Sequence, residues 1–184
     1  MSYRAAATGW HDFYLLAGTA AATLVGLLFV GLSLHLRTVI ASSEVRSLAR
    51  VTLANFGAVL FVALFMVIPE DQSAAALQII GSGVVSLIVI TPSLVGAASS
   101  RTRTLQMRRL DRARLVLRFG LSGVSYLAVI VAGILLRSSL APAFTVLVVA
   151  TVVLLVVSLR NTWDLLVTVG DITLAGERDN NVRR

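Results

Sequence analysis

Five long apolar stretches dominate this chain, and no other feature limits its fold as strongly. They run from about 13–36, 48–68, 74–98, 119–136 and 140–159. An α-helix rises 1.5 Å per residue, so roughly 20 apolar residues cross a ~30 Å hydrocarbon core. The runs are continuous and do not alternate, which argues against the strands of a membrane barrel. Residues are 57% hydrophobic and 14% charged, and mean hydropathy is +0.89. That leaves too little polar surface for a soluble domain and far too much apolar surface for a disordered chain. The expected fold is an all-α integral membrane protein, a bundle of about five transmembrane helices with its N-terminus out and its C-terminus in.

The arginines set that orientation. All sixteen basic residues are Arg, a bias that points to a GC-rich bacterial genome and hence to a multi-pass protein of a bacterial cytoplasmic (inner) membrane. Five spans put Arg37, Arg46, Arg50, the run Arg101, Arg103, Arg108, Arg109, Arg112, Arg114 and Arg118, and Arg160, Arg178, Arg183 and Arg184 on one side. Only Arg4 and Arg137 fall on the other, alongside Asp12, Glu70 and Asp71. The positive-inside rule makes the first side cytoplasmic. A net charge of +7 is then a mark of topology, and no nucleic-acid partner is expected. The first apolar run is too long, and its approach too weakly basic, for a cleaved signal peptide.

Helical wheels sort the spans by face. Gly18, Ala22 and Gly26 form a ladder of small residues on the first span, suited to close helix packing, a subunit interface or a pore-lining surface. The third span carries Gln78, Ser82, Ser86, Ser93 and Gly96 within one arc. Such a stripe should avoid lipid, either by bonding neighbouring helices and its own carbonyls or by lining a polar path. Pro92 is expected to bend that span. Asn55 is the most polar residue deep in the second span, where interhelical hydrogen bonding is its usual role. The fifth span, almost wholly Val, Leu and Ala, is expected to be the most lipid-exposed.

Chemistry-bearing residues are few. The chain has no Cys, so disulfides, thiolate metal sites and cysteine nucleophiles are excluded. His11 and Asp12 stand at the outer start of the first span, between the interfacial anchors Trp10 and Tyr14, and read as caps of its helix. With Glu70 and Asp71 they compose an acidic outer rim that draws cations but has weak metal-ligand spacing. His35 lies at the cytoplasmic end of the ladder, where a gating or pH-sensing role competes with a plain interfacial one. Neither histidine has a partner arrangement for nucleophilic catalysis, and Gly81-Ser82-Gly83 lacks the setting of a phosphate loop. No enzyme, metal or cofactor is expected. No span carries a central charge, which argues against an ion-coupled transporter.

The basic hairpin 99–118 has seven arginines against Asp111 and fits two helices extending into the cytoplasm. Its partners are expected to be anionic lipid headgroups or an acidic cytoplasmic protein. The segment 161–184 reads as a short interfacial helix, capped by Asn161 and laid down by Trp163, Leu166 and Val167, followed by a polar tail.

The motifs Trp10-His11-Asp12-Phe13-Tyr14 and Asn161-Thr162-Trp163-Asp164-Leu165-Leu166 resemble those of small multi-pass membrane proteins of GC-rich bacteria. That resemblance implies a multi-pass fold and transfers no functional residue. Three functions follow from the residues themselves. The leading one is an oligomeric channel or pore for ions or small solutes. The second is a membrane scaffold or regulatory subunit acting through the arginine-rich hairpin. The third, a facilitator for a small apolar or amphipathic molecule, requires a cavity between helices.

Overall fold

The computed structural model describes residues 3–68, 71–99 and 109–182, with the side chains of 37–38, 43–44, 93–99, 109–119, 171 and 173–182 left aside. Its elements are α1 (Tyr3–Leu34), α2 (Leu36–Ala41), α3 (Ser43–Val67), α4 (Gln72–Ser99), α5 (Arg109–Leu136) and α6 (Leu140–Val182). Among the described residues there is no strand. Among the described residues, four stretches are long and apolar enough to cross a membrane: Tyr3–Leu34, Val45–Val67, Gln72–Pro92 and Leu140–Gly170. The apolar part of α5, Gly120–Leu136, is shorter. Large apolar side chains such as Leu16, Leu27, Leu77, Ile88 and Val156 point outward. Apolar surface this extensive suits hydrocarbon surroundings and would make a water-exposed bundle aggregate.

Local chemistry fixes the helix ends. Ser42 has extended backbone and its side chain accepts from the Val45 N–H at 3.4 Å, an N-cap that starts α3. Ile68, the residue before Pro69, is also extended and ends it, because proline disfavours a helical predecessor. At the other tight corner, the Ser138 and Ser139 N–H groups donate to Leu135 O at 3.0 and 2.7 Å. Pro142 then stands in the first turn of α6, where a missing N–H costs nothing. Pro92 lies inside α4, whose helix continues through it to Ser99.

The bundle is a ring with one outrigger. α3 packs against α4, α4 against α5, α5 against α6, and α6 closes the ring on α3. α1 lies outside it, mainly against α3. A second, smaller core joins Leu28 of α1, Val45, Leu48 and Ala49 of α3, and Leu165 and Val169 of α6 at the far end. The tightest seam is α4 on α5. A Cβ on Gly83 would meet Ile130 Cγ1 at 2.7 Å and Tyr126 O at 3.2 Å. On Gly133 it would meet Ile80 Cγ1 at 2.7 Å and Ala76 O at 3.1 Å. Each helix thus offers a glycine to an isoleucine of the other, and the backbones close in as small residues allow.

Several expectations change. α1 starts ten residues before the expected span, because Ala5, Ala6 and Ala7 extend the helix readily. His11 and Asp12 therefore lie inside α1 and do not cap it. Tyr14 is fully buried in the bundle and is no interfacial anchor. α6 runs unbroken through Asn161, which is buried at mid-helix and caps nothing. Nor is the last span the most exposed: Ala143, Phe144, Leu147, Ala150, Leu154 and Val157 are all buried, since α6 closes the ring. α1 has the larger outward surface. The basic hairpin is partly traced, with α5 already helical from Arg109; residues 100–108 lie outside the described residues.

Filling the α4–α5 seam is expected to overpack it. Gly83→Val and Gly133→Val should each lower stability by about 1–3 kcal/mol, read by reversible unfolding in detergent. Gly26→Ala, at a position with open space around it, should leave stability unchanged or slightly raised.

Candidate lateral binding groove

Polar side chains inside the bundle follow a simple rule. Thr52, Thr151 and Ser158 are buried and donate to the carbonyl four residues back, at 2.9, 2.8 and 2.6 Å. Ser125 does the same to Leu121 O at 2.8 Å. This is the cheapest way to satisfy a hydroxyl where water is scarce.

Asn55 does something different. The Tyr126 hydroxyl donates to its Oδ1 at 2.5 Å, and its Nδ2 donates to Ser122 Oγ at 3.0 Å. All three side chains have 0% exposure. Asn55 is on α3, Tyr126 and Ser122 on α5, and these helices face each other diagonally across the ring. The bundle axis is closed at this level by a hydrogen-bonded plug. The sequence alone points to Asn55 for an interhelical bond and leaves its partners open.

The stripe of α4 faces elsewhere. Gln78, Ser82 and Ser86 line a groove of about 520 Å³ between α3 and α4, together with Gly81, Val85 and Val89. The α3 wall is Leu53, Ala54, Gly57, Ala58, Phe61 and Phe65. Phe61 and Phe65 stack with ring centroids 6.1 Å apart. Phe61, Gly81, Val85 and Val89 are exposed, so the groove opens on the outside of the bundle. It exists because small residues face each other there: a Cβ on Gly57 or on Gly81 would find nothing within 4 Å. No charged residue is among the described residues that line it. Its size falls within the range of small-molecule sites.

Ser82 Oγ donates to Ile79 O at 2.8 Å. Gln78 is half-buried toward the α3–α4 turn. Ser86 is 7% exposed and its hydroxyl makes no hydrogen bond among the described residues. Ser93 and Gly96 are on the same helix, beyond the side chains described.

The remaining expected sites stay apart. Of the ladder, Gly18 alone is a close contact, with its would-be Cβ 2.9 Å from Ala63 Cβ; Ala22 and Gly26 are exposed. Steps of four residues drift by about 40° around a helix, so Gly26 has turned some 80° from the face of Gly18. The face that stays buried repeats every seven residues, through Tyr14, Ala21 and Leu28. His35 breaks α1 from α2, its Nδ1 3.3 Å from Gly31 O, where the ring closes the helix end. On the expected rim, His11 is half-buried and Asp12 and Asp71 are exposed, while Glu70 lies outside the described residues. No group of three or more His, Cys, Asp or Glu able to hold a metal occurs among the described residues. Arg101, Arg103 and Arg108 lie outside the described residues; Arg109, Arg112, Arg114 and Arg118 occupy the first turns of α5.

No protein-family model matches the chain, and neither the curated proteins nor the solved structures show significant similarity to it.

The plug predicts a measurable coupling. In a double-mutant cycle of Asn55→Leu with Tyr126→Phe, unfolding in detergent should give a coupling between about 0.6 kcal/mol, the mean for interhelical hydrogen bonds in a membrane protein, and about 1.7 kcal/mol, the largest value found. Strict additivity would mean that the two side chains do not interact.

Proposed function

We propose that this chain is a non-enzymatic, five-span protein of a bacterial cytoplasmic membrane that takes up a small lipophilic molecule, from the surrounding lipid, into the α3–α4 groove. The N-out, C-in topology rests on the arginines: fourteen fall on the cytoplasmic side of such a chain and two outside. The α5 turns from Arg109 to Arg118 would then stand at the inner leaflet, each arginine adding about 1 kcal/mol of attraction to anionic headgroups.

One observation carries the binding reading. The polar stripe that would line a path lies along an outward-opening groove, and the axis of the ring is closed by Asn55, Tyr126 and Ser122. Of the three functions drawn from the sequence, the facilitator or binder of an apolar molecule is the one that requires such a cavity. An ion path along the axis gains no support from this geometry. A pore would have to run between copies of a homo-oligomer, and exposed Ala22 and Gly26 would let a second copy approach α1 closely.

The test is photolabelling in membranes with an apolar aryl diazirine, mapped by mass spectrometry. Groove peptides should label saturably in the native chain. Gly57→Leu or Gly81→Leu, which fill open space, should cut that labelling about tenfold. Labelling around Leu16, on the outer face of α1, should not change. Groove labelling that is non-saturable, or indifferent to both variants, would sink the reading.

A further inference from the structure

The groove also carries information about what enters it, on the premise that it is a binding site. Three features bear on the chemistry of the occupant.

The first is the absence of charge. The walls are apolar side chains and glycine backbone, interrupted by Gln78, Ser82 and Ser86. An ionised group here would find no counter-charge, and such a group deep in hydrocarbon is costly. Carboxylates, phosphates and ammonium groups are therefore excluded from the floor of the groove.

The second is depth. Ser86 follows Gln72, the first residue of α4, by fourteen residues, which is about 21 Å along the helix. In a ~30 Å hydrocarbon core entered near Gln72, that position is past the midplane. Phospholipid headgroups do not reach it. Whatever meets Ser86 must carry its polar atom inside an otherwise apolar body.

The third is the state of the Ser86 hydroxyl. Thr52, Thr91, Ser125, Thr151 and Ser158 all donate to the carbonyl four residues back. Ser82, one turn away on the same wall, donates to Ile79 O. Ser86 does neither, although it is 93% buried by its 7% exposure and lines the groove. Its O–H is a spare donor that opens onto the groove, out of reach of bulk water, and it favours a ligand that supplies an acceptor.

We infer that the groove selects a neutral lipophile bearing a hydrogen-bond-accepting oxygen, a ketone, ester or quinone-type carbonyl, which the Ser86 hydroxyl binds deep in the membrane. The apolar body of the molecule runs back over the Gly57 and Gly81 floor toward Phe61 and Phe65. Ser86 supplies the preference for the oxygen, and the groove walls supply affinity for the chain.

A matched pair of competitors tests this. 2-Dodecanone and n-dodecane differ by one carbonyl, and each is used to displace the aryl diazirine from the groove peptides of the native chain in membranes. The ketone should displace the label at roughly fivefold lower concentration in the membrane. Ser86→Ala, which removes no internal hydrogen bond, should abolish that advantage while leaving displacement by dodecane unchanged. Ser82→Ala, whose hydroxyl is already committed to Ile79 O, should preserve it. Equal displacement by ketone and alkane in the native chain, or a ketone advantage that survives Ser86→Ala, overturns the inference but leaves the groove as a site for apolar molecules. Failure of both competitors to displace the label overturns the groove itself.

Discussion

A carboxamide in the middle of an apolar bundle must find its hydrogen bonds within the protein, and the way Asn55 does so governs much else here. Its two partners lie on the helix diagonally opposite, so the bonds run across the axis. This ties α3 to α5, which share little lateral contact along their lengths. The ring then has to be small enough for a tyrosine to bridge it. The paired glycines Gly83 and Gly133, which draw α4 onto α5, suit that requirement. At the level of this bridge the axis is filled. The groove lies at the periphery, where Gly57 and Gly81 leave α3 and α4 incompletely packed.

Hydroxyl groups follow from the same constraint. In a bundle of long apolar helices the nearest acceptor is a carbonyl one turn back, and most serines and threonines take it. That habit makes the exception informative. Ser86 is held at a wall where its neighbours across the seam are small, and its hydroxyl is left to whatever occupies the groove.

Much of this architecture was legible in the sequence. Hydrophobic runs of bilayer length give helices whose type is unambiguous, and Pro69 marked the end of α3 correctly. The α4 stripe stands out as one polar face, and Asn55 as a group for interhelical hydrogen bonding. What was not legible depended on which helix neighbours which. Gln78, Ser82 and Ser86 on a wheel look the same whether they face a pore, a partner helix or a groove; Gly57 across the seam decides. Of the ladder Gly18, Ala22 and Gly26, Gly18 alone packs closely within the chain, because a spacing of four drifts around the helix, whereas the buried face follows Tyr14, Ala21 and Leu28. Tyr14 and Asn161 were read as boundary residues from their chemistry alone, and continuous helices carried both into the interior. The uniform Val, Leu and Ala of α6 suits lipid and core equally well, so its place in the ring had no sequence signal.

The central claim is that the α4 stripe faces a lipid-side groove and not an aqueous path, and a cysteine-free chain makes it simple to test. Ser86→Cys and, as an outer-surface reference, Ser139→Cys would be treated in intact cells with a charged, water-soluble maleimide, before and after denaturation in SDS. The account predicts that Ser139→Cys reacts in intact cells and that Ser86→Cys reacts only after denaturation, because a thiol in an apolar groove is neither ionised nor reached by the charged reagent. Rapid reaction of Ser86→Cys with the charged reagent would place the stripe in a water-filled path and contradict it.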